Sequence, residues 1–238
     1  MKLVLFDLDG TLLTAGGMGR RATRIALEAV FGNSGNLDVY YPGGRTQEAI
    51  FLDTLLDAGF SREEFLASKT ELYRIFLDEF QKSVEGTASR IQPLPGAVKL
   101  VQALNQEADV MLGVVTGNHR ENASIKLSSA GFSAEWFRVG AYGEETEVRS
   151  QLIPLAQMRA QERSGEDFSG DKTVVVGDTT RDVISARENG ALSVAVTTGT
   201  DHRALLESSG PDHILDGLDD LQEVLEIILS TKHARGGE

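Results

Sequence analysis

Four short stretches rich in Val and Leu, residues 3–6, 111–115, 173–176 and 192–196, read as continuous apolar runs rather than as an apolar/polar alternation. A strand with one wet face alternates, so continuous runs of this length point to strands buried on both faces. Weaker strand candidates fall at 137–141 and 212–215. Segments of helical period separate them. In 97–104, opened by Pro95-Gly96, the residues Ala97, Leu100, Val101 and Leu104 share one face, and similar segments cover 121–130, 152–163, 180–189 and 218–229. Strands alternating with helices at this spacing require right-handed crossovers in one parallel sheet. The expected fold is α/β, with a Rossmann-like open parallel sheet as its core.

One interval breaks the alternation. After the run at 3–6 the next strong strand comes only near Met111, and the sequence between is helical in character over 19–31, 47–58 and 63–80, with breaks at Gly32, Gly43-Gly44 and Gly59. An irregular loop of about 75 residues does not fit a compact domain. The expectation is an inserted all-helical cap domain over 15–90, with the core formed by 1–14 and 91–238. A frayed tail is expected over 230–238.

Composition narrows the function classes. The chain has 238 residues, 41% hydrophobic and 25% charged, enough apolar surface for a large core. With 23 basic against 36 acidic residues the formal charge is −13, which opposes binding to nucleic acid or to an anionic membrane surface. Cysteine is absent, excluding disulfides, thiolate nucleophiles and Cys-based zinc sites. The apolar run at the N-terminus stops at Asp7, and no uncharged stretch approaches the roughly 18 residues of a membrane span. A soluble, cytoplasmic protein is expected.

Ligands of open parallel sheets bind beyond the carboxyl ends of the strands. Polar residues gather at three of those ends: Asp7-Leu8-Asp9-Gly10-Thr11, Thr116-Gly117-Asn118 and Asp178-Thr179-Thr180-Arg181-Asp182. Carboxylates brought within a few ångströms repel and raise one another's pKa unless they share a cation. Magnesium suits such a place, since it binds one or two carboxylates and completes its shell with water and phosphate. Asp7 and Asp9, two apart on an extended strand end, project to the same side.

These three segments resemble, in order, the first, second and fourth motifs of the haloacid dehalogenase (HAD)-like hydrolase superfamily, with the helical cap placed as in its phosphoglycolate phosphatase-like branch. The resemblance implies magnesium-dependent hydrolysis of a small phosphorylated metabolite, a phosphomonoester. Asp7 would be the nucleophile that forms an aspartyl-phosphate and Asp9 the general acid and base. Asp7, Asp178 and the Asp9 backbone carbonyl would hold Mg2+, with Asp182 supporting them. Thr116, Gly117 and Asn118 would bind phosphate.

The superfamily's third motif is a lysine; here the basic residue in the corresponding loop is Arg149, whose planar fork suits phosphate. Lys172 lies at the wrong end of its strand, roughly 20 Å from Asp178 at about 3.3 Å per residue. Arg45, after the Gly43-Gly44 turn, is a candidate substrate contact from the cap. Thr116-Gly117-Asn118 and Asp182 would equally suit helix N-termini, while His119, Lys126 and Trp136 read as surface or packing residues. A phosphosugar mutase would retain the same residues. A haloacid dehalogenase would need neither Asp9 nor Asp178, and a non-catalytic phosphate- or metal-binding module would not need Asp7. Neither the substrate nor the oligomeric state is readable from the chain.

Overall fold

The computed structural model describes residues 1–86 and 91–230. The chain opens with β1 (Lys2–Phe6) and the two-residue strand β2 (Leu13–Thr14). It then passes through α1 (Met18–Phe31), α2 (Gln47–Asp57) and α3 (Arg62–Glu85) before β3 (Gln92–Pro93). Helices and strands alternate from there: α4 (Ala97–Asn105), β4 (Val110–Val115), α5 (Arg120–Ser129), β5 (Val139–Ala141) and α6 (Leu152–Ser164). The chain continues with β6 (Thr173–Gly177), α7 (Thr180–Glu188), β7 (Leu192–Val196), α8 (Arg203–Ser209), β8 (His213–Leu215) and α9 (Leu221–Ser230).

Six strands form one parallel sheet in the order β5-β4-β1-β6-β7-β8. The chain builds outward from β1 through β4 to β5, then crosses back to fill the other side. β1 therefore sits beside the switch point, where open sheets leave a crevice for ligands. Register aligns the three motif-bearing strands, because Phe6 lies opposite both Val114 and Val176. The residues after β1, β4 and β6 consequently emerge at one edge, almost level. The continuous runs are buried along their length, Leu3, Val4, Leu5 and Phe6 completely.

The described residues between β2 and β3 contain helices and no strand. β2 and β3 pair antiparallel, Leu13 with Pro93 and Thr14 with Gln92, so the two connections to the helical block run side by side. α1 and α3 pack on each other, and α3 reaches α5 of the core. A single apolar cluster runs from Val4 and Phe6 through Met18 and Leu27 to Phe51, Phe76 and Phe80. Phe51 meets Phe76 edge-on at 5.8 Å between ring centroids.

Polar contacts also seat the block. Thr46 caps α2, accepting from the Ala49 amide at 3.2 Å, and its hydroxyl donates to the Glu147 carbonyl at 3.2 Å. The first two amides of α2 lack partners within their own helix. They donate outward, Gln47 to the Gly117 carbonyl at 2.7 Å and Glu48 to the Gly143 carbonyl at 3.2 Å.

Some boundaries differ from expectation for local reasons. α3 runs on to Glu85, since Lys82 pairs with Asp78 and Glu79 on its exposed side and nothing breaks the period. α9 starts at Leu221, three residues late, because the Asp220 carboxylate accepts from the Glu223 amide and caps it there. Ser230 ends that helix and is not part of a tail. The expected tail over 231–238 and the end of the helical block at 87–90 lie outside the described residues.

Candidate active site

β1 delivers Asp7, β6 delivers Asp178, and Asp182 stands one turn into α7; each offers a carboxylate oxygen, all within 4.8 Å of one another. Asp178 is 1% exposed and sits between two donors, the Thr11 hydroxyl at 3.1 Å and the Thr200 amide at 3.2 Å. Its surroundings admit no larger residue. A Cβ on Gly199 would stand 1.7 Å from Asp178 Oδ2, and one on Gly10, whose φ is +87°, would stand 2.5 Å from the same atom.

Asp182 is committed on both oxygens. Oδ2 closes a capping box with Thr179, accepting from its hydroxyl at 2.6 Å and its amide at 3.1 Å, which fixes the start of α7. Oδ1 accepts from Arg149 Nε at 3.0 Å and Nη2 at 2.5 Å. Arg149, 7% exposed, turns the same Nη2 to Asp7 Oδ1 at 2.9 Å.

Burial pushes the Asp7 carboxyl up to about 6, against the pull of Arg149 and with the help of Asp182 and Asp9. Burial, then Asp7 and Asp182, raise Asp178 well above the usual carboxylate range. Burial works against the Arg149 charge, but Asp182 and Asp7 more than offset it and keep the guanidinium protonated. Three carboxylates against one guanidinium leave a local formal charge of −2, carried on hard oxygen donors. The residues present therefore fit a dication such as magnesium, with Asp7 and Asp178 as carboxylate ligands.

The structure groups Asp9 elsewhere. Its carboxylate lies outside that trio and is held by Asn118 Nδ2 at 2.7 Å and by Lys126 Nζ at 2.8 and 2.6 Å. Asn118 also donates to Thr116 Oγ1, from Nδ2 at 2.8 Å and from its amide at 3.2 Å. Gly117 is where the helical block docks: a Cβ there would lie 2.0 Å from the Arg45 carbonyl oxygen. Arg45 lines the cavity, yet its guanidinium is paired with Asp53 and its Nε donates to Tyr40 Oη at 3.0 Å.

Lys126 corrects the expectation of a surface or packing residue. It is 3% exposed with its ammonium on Asp9 and Asn118. A signal for it existed, because Lys126 shares the buried face of α5 with Ala123 and Leu127, where a lysine has no packing reason to be. His119 caps α5, its Nδ1 accepting from the Glu121 amide at 3.2 Å, with its ring against Tyr73. Trp136 packs edge-on to Phe132. Lys172 is half-exposed and pairs with Asp167 at 3.3 Å.

A cavity of about 610 Å³ lies between core and helical block, with Asp7, Asp9, Asn118, Lys126, Arg149 and Asp178 on its core side. Arg20, Thr23, Leu37, Tyr41, Arg45 and Ile50 face it from the helical block. Arg20 pins the segment before α2 by donating to the carbonyls of Leu37, Asp38 and Tyr40 at 2.9, 3.1 and 2.6 Å. Tyr41 crosses to the Asp201 carboxylate, and Arg181 crosses back to the Gly43 carbonyl.

Buried acids thus gather at the carboxyl ends of β1 and β6, beneath the helical block. The family model for haloacid dehalogenase-like hydrolases matches residues 1–190, and the chain belongs to that family. As a member of that family it is a hydrolase. It is 30% identical over 149 residues to a phosphoglycolate phosphatase of Synechococcus elongatus, a match covering 63% of this chain and 66% of the relative. It is 27% identical over 231 residues to the pyrophosphatase PpaX of Bacillus mycoides, covering 94% of this chain and 97% of the relative. Among solved structures, a hydrolase from Pseudomonas syringae superposes with a TM-score of 0.72 at 20% identity, over 95% of this chain and 98% of that one. CbbY from Rhodobacter sphaeroides, solved in complex with phosphate, superposes with a TM-score of 0.67 at 19% identity, over 93% and 96%. At those identities the two structures establish the fold.

Proposed function

We propose that the protein hydrolyses a small-molecule phosphomonoester in a magnesium-dependent reaction that passes through an aspartyl-phosphate on Asp7. The observation that carries this reading is the setting of Asp7: a buried carboxylate at the cavity floor, beside Asp178, with Oδ1 held by Arg149 at 2.9 Å. Arg149 fixes Oδ1, so Oδ2 is the oxygen that attacks phosphorus. A carboxylate is a weak nucleophile toward an anionic phosphoryl group, so positioning and charge neutralisation must supply most of the rate.

Asp7 and Asp178 would hold the magnesium, which supplies neutralisation of the transferring phosphoryl group's charge. Arg149 adds a fixed positive charge beside the attacking oxygen, and Asp182 anchors Arg149. The Thr116 hydroxyl and the Gly117 amide offer donors to the phosphoryl oxygens, while the Asn118 amide holds Thr116 Oγ1. Asp9, whose side chain is 41% exposed to the cavity, gives a proton to the leaving oxygen as its bond to phosphorus breaks. It then takes one from the water that attacks the phospho-Asp7. The helical block over 15–90 acts as the cap, excluding bulk water and offering Arg45 and its neighbours to the rest of the substrate. The volume of about 610 Å³ suits a small metabolite.

The test is a phosphate-release screen over sugar phosphates, phosphoglycolate, pyrophosphate and nucleotides, with magnesium and after exhaustive chelation. Activity is expected only with the cation, and Asp7→Asn is expected to abolish it. Rapid quenching of wild type should trap phosphate on the peptide containing Asp7. Full turnover after chelation, or wild-type turnover by Asp7→Asn, would overturn the reading. A phosphosugar mutase would instead return an isomeric sugar phosphate without net phosphate release.

A further inference from the structure

We propose that Lys126 is the positioning residue for Asp9, fixing the acid–base carboxyl against the leaving group through a closed network with Asn118 and Thr116. The inference rests on the phosphatase reading above and assigns a role to a residue outside the motifs that suggested it.

The side-chain donors of Lys126 and Asn118 are all engaged. An ammonium has three N–H donors, and Lys126 meets three acceptors, Asp9 Oδ1 at 2.8 Å, Asp9 Oδ2 at 2.6 Å and Asn118 Oδ1 at 2.7 Å. The Asn118 side-chain amide has two donors, and they meet Asp9 Oδ2 at 2.7 Å and Thr116 Oγ1 at 2.8 Å. Buried polar networks in which every member is satisfied hold one geometry. Removing an ammonium from water disfavours folding unless it is paired, so packing alone would select an apolar residue at this place on α5. The stem of Lys126 runs past Phe80 of α3, with the ammonium 5.7 Å from the ring centroid, which confines it from the side of the helical block.

The two aspartates of the first motif thus have separate cations. Arg149 touches Asp7 and Asp182, while Lys126 touches Asp9. The division follows from their tasks. Asp7 must keep one oxygen still while the other bonds to phosphorus, whereas Asp9 must turn one oxygen toward a leaving group that arrives from the cavity. The proton that moves is the one on Asp9, passed to the leaving oxygen in the first half-reaction and recovered from water in the second.

Lys126→Met should therefore act selectively. On a primary alkyl phosphate, whose leaving group must be protonated, kcat should fall about 10²-fold, the loss expected when a catalytic group is misplaced by about an ångström, with KM within about threefold of wild type. On 2,4-dinitrophenyl phosphate, whose leaving group needs no proton, the pre-steady-state burst of dinitrophenolate should slow by less than about threefold, while steady turnover, which still needs Asp9 to activate water, falls with the alkyl ester's. In an Asp9→Asn background, Lys126→Met should add almost nothing on the alkyl ester. Lys126→Gln carries the same comparison should the methionine variant lose its fold. Urea unfolding of wild type, both single variants and the double variant reads the contact without activity; the midpoint shift caused by Lys126→Met should shrink when Asp9 is already Asn. A burst on the dinitrophenyl ester slowed as much as phosphorylation by the alkyl ester, or a full additional loss in the Asp9→Asn background, would overturn the assignment. A wild type inert on both esters would overturn the phosphatase reading and the role together, while the unfolding cycle would still show whether the pair exists.

Discussion

Replacing Arg149 by methionine tests how the acidic cluster is held together. The guanidinium is 7% exposed and is the cation shared by Asp7 and Asp182 at 2.9 and 2.5 Å. Without it, three carboxylates lie within 4.8 Å of one another, where each ionised pair repels by about 3 kcal/mol at an effective dielectric of about 20. Losing one partner of a buried pair costs about 3–5 kcal/mol. For a chain of this length that corresponds to a fall in Tm of roughly 10 °C. Asp7, already pushed up to about 6, loses the cation that restrains it and rises further. A carboxyl whose folded pKa is raised contributes stability that is present below its unfolded value and lost as pH climbs through the folded one. The deficit of the variant should thus be largest in chelated buffer at pH 8 and smaller at pH 5, and magnesium should recover part of it. Thermal unfolding at both pH values, with chelator and with magnesium, measures this. A deficit equal at pH 5 and pH 8 and indifferent to magnesium would refute the electrostatic account and leave only lost packing. Turnover should fall severely in the same variant.

In the wild type, raising Asp7 from 3.8 to about 6 removes about 2 kcal/mol of stability as the metal-free protein goes from pH 4 to pH 7. Magnesium should accordingly raise Tm more at pH 8 than at pH 5, and equal shifts would count against Asp7 as a ligand. Gly199→Ala, whose new Cβ would fall 1.7 Å from Asp178 Oδ2, should increase the magnesium concentration for half-maximal activity while leaving the far-ultraviolet circular dichroism unchanged. Gly117→Ala pushes on the Arg45 carbonyl and should loosen the seating of α2, seen as faster proteolysis between α1 and α2. Lys172→Ala, at an exposed pair with Asp167, should change turnover less than about twofold, in contrast to Arg149→Ala.

The sheet was legible because strands buried on both faces cannot hide their composition: 3–6, 111–115, 173–176 and 192–196 all fall within β1, β4, β6 and β7. The meeting of Asp7 with Asp178 was legible because both follow strands of one parallel sheet, whereas the separate grouping of Asp9 was not. What escaped has local causes. β2 and β3 are two residues each, too short for any periodicity. α8 spans seven residues and follows a Thr/Gly/Asp-rich turn that reads as loop. Lys126 escaped because α5 is polar on most sides, so one lysine on its buried face does not stand out in composition. The partners of Arg45, Tyr40 and Asp53, lie on the segment between α1 and α2 and on α2 itself, and sequence spacing does not pair a loop with a helix. The surroundings of Asp9 and Gly117 escaped for the same reason, since the grip of Lys126 and the docking of Arg45 are contacts across the fold.

The amides of Gln47 and Glu48 give the enzyme a built-in gauge. They start α2, where an isolated helix would leave them open to water, and their partners are the carbonyls of Gly117 and Gly143, which follow β4 and β5 of the sheet. Exchange with deuterated solvent at these two positions can proceed only when the helix lifts from that seat, whereas amides deeper in α2 stay bonded within the helix. The ratio of exchange at 47 and 48 to exchange along the rest of the helix therefore counts lifting events directly, residue by residue, with no label and no substrate. Any ligand that draws the two halves together would slow that clock at just two ticks of the chain.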